Sequence, residues 1–280
     1  MNWEKTLIRC SCLGKIMTPS KGSTITDKQL DELERLSELP KRTEKQEVTY
    51  QTLLAKKNAP PELSDTAKSY LKELYILHKY GKETVGGSER SKYTIKGLSV
   101  EENSIKLLSR LDKTHYSKNE DRFENDFIIG TPDIIVRAGT SPTKIIDIKS
   151  SWDAASLLGN LGQPLNSNYY YQMQGYMALT GATEAEVCYC LVSMPEEIIN
   201  SEKKRIYYLM NPATEDNIEY KQAVEKLENN MIFDEIPEQE RIIKFKVDRD
   251  DAVIEKIYEK VRSCRLWLQE FEGIHTNLHN

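Results

Sequence analysis

Along most of the chain, apolar residues either alternate with polar ones or recur every three to four positions, and these two periods separate strands from helices. Thr26 and Gln29 form a capping box ahead of Leu30, Leu33, Leu36 and Leu39, a helix that Pro40 helps to end. Ser64 caps a second helix, with Ala67, Leu71, Leu74 and Leu77 on one face, running to Tyr80 and Gly81. The charged stretch 41–63, which contains Pro60 and Pro61, reads as linker, and 82–94 reads as loop. From Gly97 the pattern predicts helix (98–112), strand (122–129), strand (132–137), strand (144–149), helix (167–180) and strand (186–193). Beyond these it predicts a strand over Arg205 to Met210, a helix over 216–231, a strand over Arg241 to Val247 and a last helix over 250–272. That last helix spaces Ile254, Ile257, Val261, Cys264, Leu268 and Phe271 as an apolar seam, for its own core or for another subunit.

The short β-branched runs Ile134 to Val136 and Ile145 to Ile148 are separated by Gly139, Ser141 and Pro142, the mark of two strands joined by a turn. If the turn is centred on Thr140, Asp133 and Asp147 lie opposite each other, with Cβ atoms ~4.5–5.5 Å apart. One cation then touches both carboxylates. Side chains alternate faces on a strand, so Asp147 and Lys149 point the same way while Ile146 and Ile148 point into the other layer. Upstream, Glu101 shares a helix face with Ile105 and Leu108 and so faces the core, where a carboxylate is out of place without a cation. Glu102, on the more exposed flank, is the alternative third ligand. An isolated D-x-K triplet is ordinary surface chemistry, and only its setting at the end of an apolar strand makes this one a candidate site.

Composition narrows the partners. With 280 residues, 39% hydrophobic and 30% charged, the chain supports one substantial core and is too polar for a membrane protein. The beginning, MNWEKTLIRCSCLGKIM, has no basic segment followed by an apolar run, so a cytoplasmic protein is expected. Five cysteines, two pairs in C-x-C spacing plus Cys264, read as packing residues rather than disulfides or metal ligands. A net charge of -5 and a pI near 5.6 give no globally basic surface for nucleic acid, although a local basic channel around Lys92 and Lys96 is compatible with them.

Taken together, Asp133, Asp147 and Lys149 after a helix bearing Glu101 resemble the PD-(D/E)XK nuclease superfamily. Gln172-Met173-Gln174-Gly175-Tyr176 and Thr131-Pro132-Asp133 narrow the likeness to its phage lambda-exonuclease and YqaJ-like (RecB-type) branch. The resemblance implies an α/β, restriction-endonuclease-like core, an α-β-β-β-α-β mixed sheet flanked by helices. A single nuclease domain is expected, with a helical extension over 1–96, a catalytic core over 97–210 and a C-terminal strand and helices over 211–280. It further implies Mg²⁺, with Mn²⁺ as substitute, held by Glu101, Asp133, Asp147 and Ile148, with Lys149 acting on the attacking water and Gln172 beside the scissile phosphate. Thr131, Gln172, Tyr176, Arg9 and Ser11 become phosphate- or DNA-binding candidates, the last two for a 5′-phosphate. The C-x-C pairs do not match the cysteine pattern of iron-sulfur relatives, so no cluster is expected. The implied activity is 5′-to-3′ exonuclease action on double-stranded DNA ends in phage-type recombination, with a single-strand annealing partner and a homo-oligomeric ring. A RecB-like or structure-specific endonuclease and an inactive DNA-binding module are the alternatives.

Overall fold

The hairpin expected around Thr140 forms the middle of the larger of two sheets. The computed structural model describes residues 3–20, 25–58, 62–82 and 92–277, without the side chains at 27, 58, 92–96 and 98. In chain order, strand β1 (Ile8–Arg9) and helix α1 (Leu13–Met17) are followed by helices α2 (Asp27–Ser37), α3 (Glu44–Asn58) and α4 (Asp65–Tyr80). Helix α5 (Lys92–Leu111) leads into strands β2 (Phe123–Glu124), β3 (Ile128–Gly130), β4 (Ile134–Ala138) and β5 (Ser141–Ser150). Helices α6 (Ala154–Leu158) and α7 (Ser167–Thr180) precede strand β6 (Glu184–Cys190). Helices α8 (Glu196–Met210) and α9 (Ile218–Asn229), strand β7 (Ile242–Asp248) and helix α10 (Asp251–Asn277) complete the order.

The main sheet has the order β4-β5-β6-β7, antiparallel at both edges and parallel between β5 and β6. A parallel neighbour needs a crossover, and α7 is that crossover. Alternation along β5 decides what each face carries. Ile145 turns toward α7, where it joins Val187, Met173, Tyr176 and Met177. Ile146 and Ile148 turn to the other face, against Ile105 and Leu108 of α5 and the inward-packed Cys188 and Cys190. Ile254, Ile257, Val261, Cys264 and Leu268 of α10 are buried within the chain's own core, together with Trp3, Leu13, Leu71 and Tyr75 from the N-terminal part. The apolar seam is thus consumed inside one subunit. Among the described residues, no helix is long and apolar enough to cross a membrane.

Several elements depart from the sequence pattern. The stretch 41–63 is not simply linker, because α3 occupies most of it. Thr43 and Gln46 cap that helix reciprocally, at 3.3 and 2.9 Å, but it buries little beyond Leu53, so no apolar stripe announces it. Arg205 to Met210 is not a strand but the end of α8, whose Tyr208 and Leu209 are exposed and mimic a strand only in composition. The strand expected over 122–129 is broken in two by Asn125, whose Oδ1 accepts from the amides of Phe127 and Ile128. Its halves join β1 in a separate three-stranded sheet, order β1-β3-β2. The short α6 was not expected. It is set by Asp153 and Ser156, which cap it reciprocally.

Helix α7 sits unusually close to α1 because glycine occupies the contact. A Cβ at Gly14 would stand 2.6 Å from the Cα of Asn168, and one at Gly175 would stand 2.6 Å from Leu13 Cδ1. Gly14→Ala must push main chain aside, whereas Gly273→Ala in α10 meets nothing within 4 Å. Overpacking of this kind costs ~1–3 kcal/mol, and an exposed helical Gly→Ala gains ~0.5–1 kcal/mol. Thermal unfolding should show a clear loss of Tm for Gly14→Ala and none for Gly273→Ala; equal effects would contradict the close seating of α7.

Candidate active site

The hairpin register is Ile134 opposite Ile146 and Ile135 opposite Ile145, so one step further puts Asp133 across from Asp147. A two-residue turn, Gly139-Thr140, closes the hairpin with Gly139 at φ 62°, a conformation that favours glycine. A bulge between Val136 and Arg137 absorbs one extra residue on the β5 side. The register near the aspartates is therefore the one the sequence suggested, although the ladder slips nearer the turn.

Asp147 is 1% exposed. Its Oδ1 accepts from Gln172 Nε2 at 3.0 Å, and Oδ2, otherwise without a partner, lies 2.7 Å from Lys149 Nζ. Asp133 Oδ2 accepts from the Ile148 amide at 2.7 Å, which ties the first carboxylate to the strand carrying the second. Gln172 Nε2 also donates to Tyr176 Oη at 3.1 Å, one turn along α7. Lys149 Nζ sits 4.7 Å from the centroid of the Tyr169 ring, so the ammonium is held by a carboxylate and an aromatic face together. Glu101, Asp133, Asp147, Ile148, Lys149 and Gln172 all line one cavity of about 580 Å³. Glu102 points away, its side chain 81% exposed and 3.8 Å from Lys106. Of the two glutamates, it is Glu101 that reaches the cavity.

Burial pushes the Asp133 carboxyl up to about 7, with the charge of Asp147 adding to the effect and the Ile148 amide and Lys149 opposing it. Burial likewise raises Asp147, against the pull of Lys149. At Lys149 burial works against the ammonium, but Asp147 and then Asp133 outweigh it and raise the pKa. A buried and a half-buried carboxylate thus share one half-buried ammonium, an imbalance that a bound cation would relieve. The donors are hard oxygens, as Mg²⁺ requires. Among the described residues, however, no three acidic, histidine or cysteine side chains converge on one point. Glu101 is drawn instead to Lys118, at 2.7 Å. The residues fit a hard divalent cation through Asp133 and Asp147, with Glu101 on the cavity wall.

A second cavity, of about 240 Å³, gathers Arg9, Ser11, Thr131 and Tyr176, four of the proposed phosphate contacts, with Arg122. Strand β1 brings Arg9 there by pairing with β3, Ile8 opposite Ile128 and Arg9 opposite Ile129. Tyr176 borders this cavity and bonds Gln172 in the first, so α7 joins the two. Arg122 was not singled out in the sequence, since only the pairing of β2 with β3 brings it beside Arg9. Trp152, Asn160 and Tyr189, which also line the larger cavity, escaped notice for the same reason: they meet the aspartates only in three dimensions.

No protein-family model matches the chain, and no curated protein matches it either. Solved structures do. A phage-related exonuclease from Haemophilus somnus 129PT superposes with a TM-score of 0.62 at 24% identity, over 97% of this chain and 97% of that one. An alkaline exonuclease from Laribacter hongkongensis superposes with a TM-score of 0.52 at 15% identity, over 99% of this chain and 97% of that one. Both matches run nearly end to end, so the chain has the restriction-endonuclease-like fold of these exonucleases.

Proposed function

We propose that the chain is a divalent-metal-dependent deoxyribonuclease of the lambda-exonuclease type that shortens one strand of duplex DNA from a 5′ end. The observation that carries this reading is the pair Asp133 and Asp147, side by side in one cavity with Lys149 and Gln172, next to a second cavity bearing two arginines. The shared fold with two exonucleases supports it.

In this reading Asp133 and Asp147 hold the cation, with Glu101 and the main chain of Ile148 as further donors. A divalent cation held there would supply charge neutralisation at the phosphate and help activate the attacking water. Lys149, kept charged by the aspartates, donates to the attacking water and offsets negative charge on the phosphate oxygens. Gln172 fixes the orientation of Asp147 through its amide, and Tyr176 fixes Gln172. Arg9 and Arg122, with the hydroxyls of Ser11 and Thr131, receive a terminal phosphate in the smaller cavity. Binding there sets which end of a strand enters, and so sets polarity.

Linear duplexes labelled at either end, with or without 5′-phosphate, test this directly. In Mg²⁺ the wild type should release label from 5′-phosphorylated ends, spare covalently closed circles and stop in EDTA. Asp147→Asn and Lys149→Ala should lose activity by about a hundredfold or more, as loss of a group acting on transition-state charge does. Arg122→Ala should lose mainly the preference for a 5′-phosphate. Nicking of closed circles as fast as linear DNA is cut would replace this reading with an endonuclease on the same fold. Wild-type turnover in Asp147→Asn would remove the site.

The raised pKa of Asp133 adds a test that needs no substrate. Below the ordinary aspartate range both folded and unfolded chains hold this proton. Between that range and about 7 only the folded chain does, so the group's contribution to stability falls as pH rises through this window. Without metal, Asp133→Asn should therefore gain on wild type from pH ~4 to ~7 and then run parallel to it. Mg²⁺ at pH 8 should raise the wild-type Tm and leave the variant's almost unchanged. A difference between the two proteins that does not vary with pH would contradict the buried-carboxylate assignment.

A further inference from the structure

The larger cavity has more wall than the charged cluster accounts for. Besides the groups already given roles, it is lined by three aromatic rings, Trp152, Tyr169 and Tyr189, and by the neutral polar side chains of Ser151, Ser156 and Asn160. Among the described residues that line it, Lys149 is the one cation, and it is committed to Asp147 and the face of Tyr169. The described residues of this wall therefore offer a second anion no further positive charge. They suit a flat, uncharged group with polar edges.

The wall is also built rather than incidental. Ser151 donates its amide to the Cys190 carbonyl at 2.8 Å, anchoring the chain as it leaves β5. Its side-chain hydroxyl is different: Oγ is buried and has no hydrogen-bond partner, on a residue only 6% exposed. A buried hydroxyl left unsatisfied costs stability, and one in a cavity wall is explained by a ligand that completes it. Beyond Trp152, the Asp153 and Ser156 cap fixes α6, with Asp153 Oδ1 accepting from the Ser156 amide at 2.7 Å. Asn160 ties the following turn back through Nδ2 to the Ser156 carbonyl, also at 2.7 Å. Tyr169 and Tyr189 brace each other edge to face, centroids 6.1 Å apart. Trp152, half-buried, lies in the chain between the Ser151 anchor and the α6 cap and lines the same cavity as the aspartates.

We propose that Trp152 is the base-stacking platform of the cleavage site, holding the nucleobase next to the scissile phosphate while Ser151 Oγ hydrogen-bonds the same nucleotide. This rests on the nuclease reading and adds to it the part of the substrate that the neutral wall recognises. A phosphodiester placed at Asp133 and Asp147 carries a base on each flanking nucleotide, and the aromatic wall adjoins that position. Every base has a π-face, so such a platform tolerates any sequence, which suits an enzyme that removes nucleotides one after another. The contact is made by the base alone, so it disappears when the base is removed and the phosphate is kept.

The experiment uses the full-length protein and duplexes whose first or second nucleotide from the cleaved end is abasic. Wild type should slow by about tenfold or more at one of these positions, in the range that base–aromatic stacking provides. Trp152→Ala should cut normal and abasic ends at the same rate, and Trp152→Phe should regain the discrimination. A merely structural role for Trp152 would lower both rates together and leave their ratio intact. Indifference of wild type at both positions, or undiminished discrimination in Trp152→Ala, would overturn the assignment while leaving the nuclease reading in place. Failure of wild type to cleave any DNA with a divalent metal would instead overturn that reading, and this assignment with it.

Discussion

Two carboxylates facing each other across a hairpin, one buried and one half-buried, are costly unless something positive is brought to them. Much of the surrounding structure can be understood as holding that arrangement in place. Lys149 reaches Asp147 because both stand on the same face of β5, and the Ile148 amide, turned the other way, caps Asp133. Helix α7 closes over the pair and presents Gln172 to Asp147. Its seat is in turn set by glycines at 14 and 175, where a methyl group would not fit. The position of the Gln172 amide therefore depends on contacts with an N-terminal segment far from it in sequence.

That segment has a second use. By adding β1 to β3 it carries Arg9 and Ser11 to the edge of the site, beside Arg122 and Thr131. An acidic chain thereby places two arginines on one cavity without a basic surface overall. Tyr176 links the two cavities through Gln172, so the amide bonded to Asp147 is mechanically continuous with the wall of the smaller cavity.

What could be read from the sequence followed the range of the interactions. Asp133, Asp147 and Lys149 were legible because strand alternation and turn length are local and fix which residues meet. Helical periodicity prefers Glu101 to Glu102, and in the structure Glu101 lines the cavity and pairs with Lys118 while Glu102 faces Lys106. Arg122, Ser151 and Trp152 were not legible, because their nearness to the aspartates comes from strand pairing and from the path of the chain after β5. The helix α3 was hidden by its nearly uniform polarity, while its capping pair Thr43 and Gln46 was present and overlooked. At the end of α8 the run Tyr207-Tyr208-Leu209-Met210 has strand-like residues on a helix, where composition misleads and the preceding Glu- and Lys-rich turns decide. Lys92 and Lys96 begin α5, but their side chains lie outside the described residues.

The central claim is that a divalent cation takes the place of a proton between Asp133 and Asp147. Calorimetric titration of the metal-free protein with Mn²⁺, in buffers of different ionisation heat, measures that exchange without substrate or turnover. Binding at pH 6 should release close to one proton per site, and the release should fade by pH 8 as Asp133 loses its proton unaided. Mn²⁺ binding that releases no proton at pH 6, or that persists unchanged in Asp133→Asn, would contradict the account.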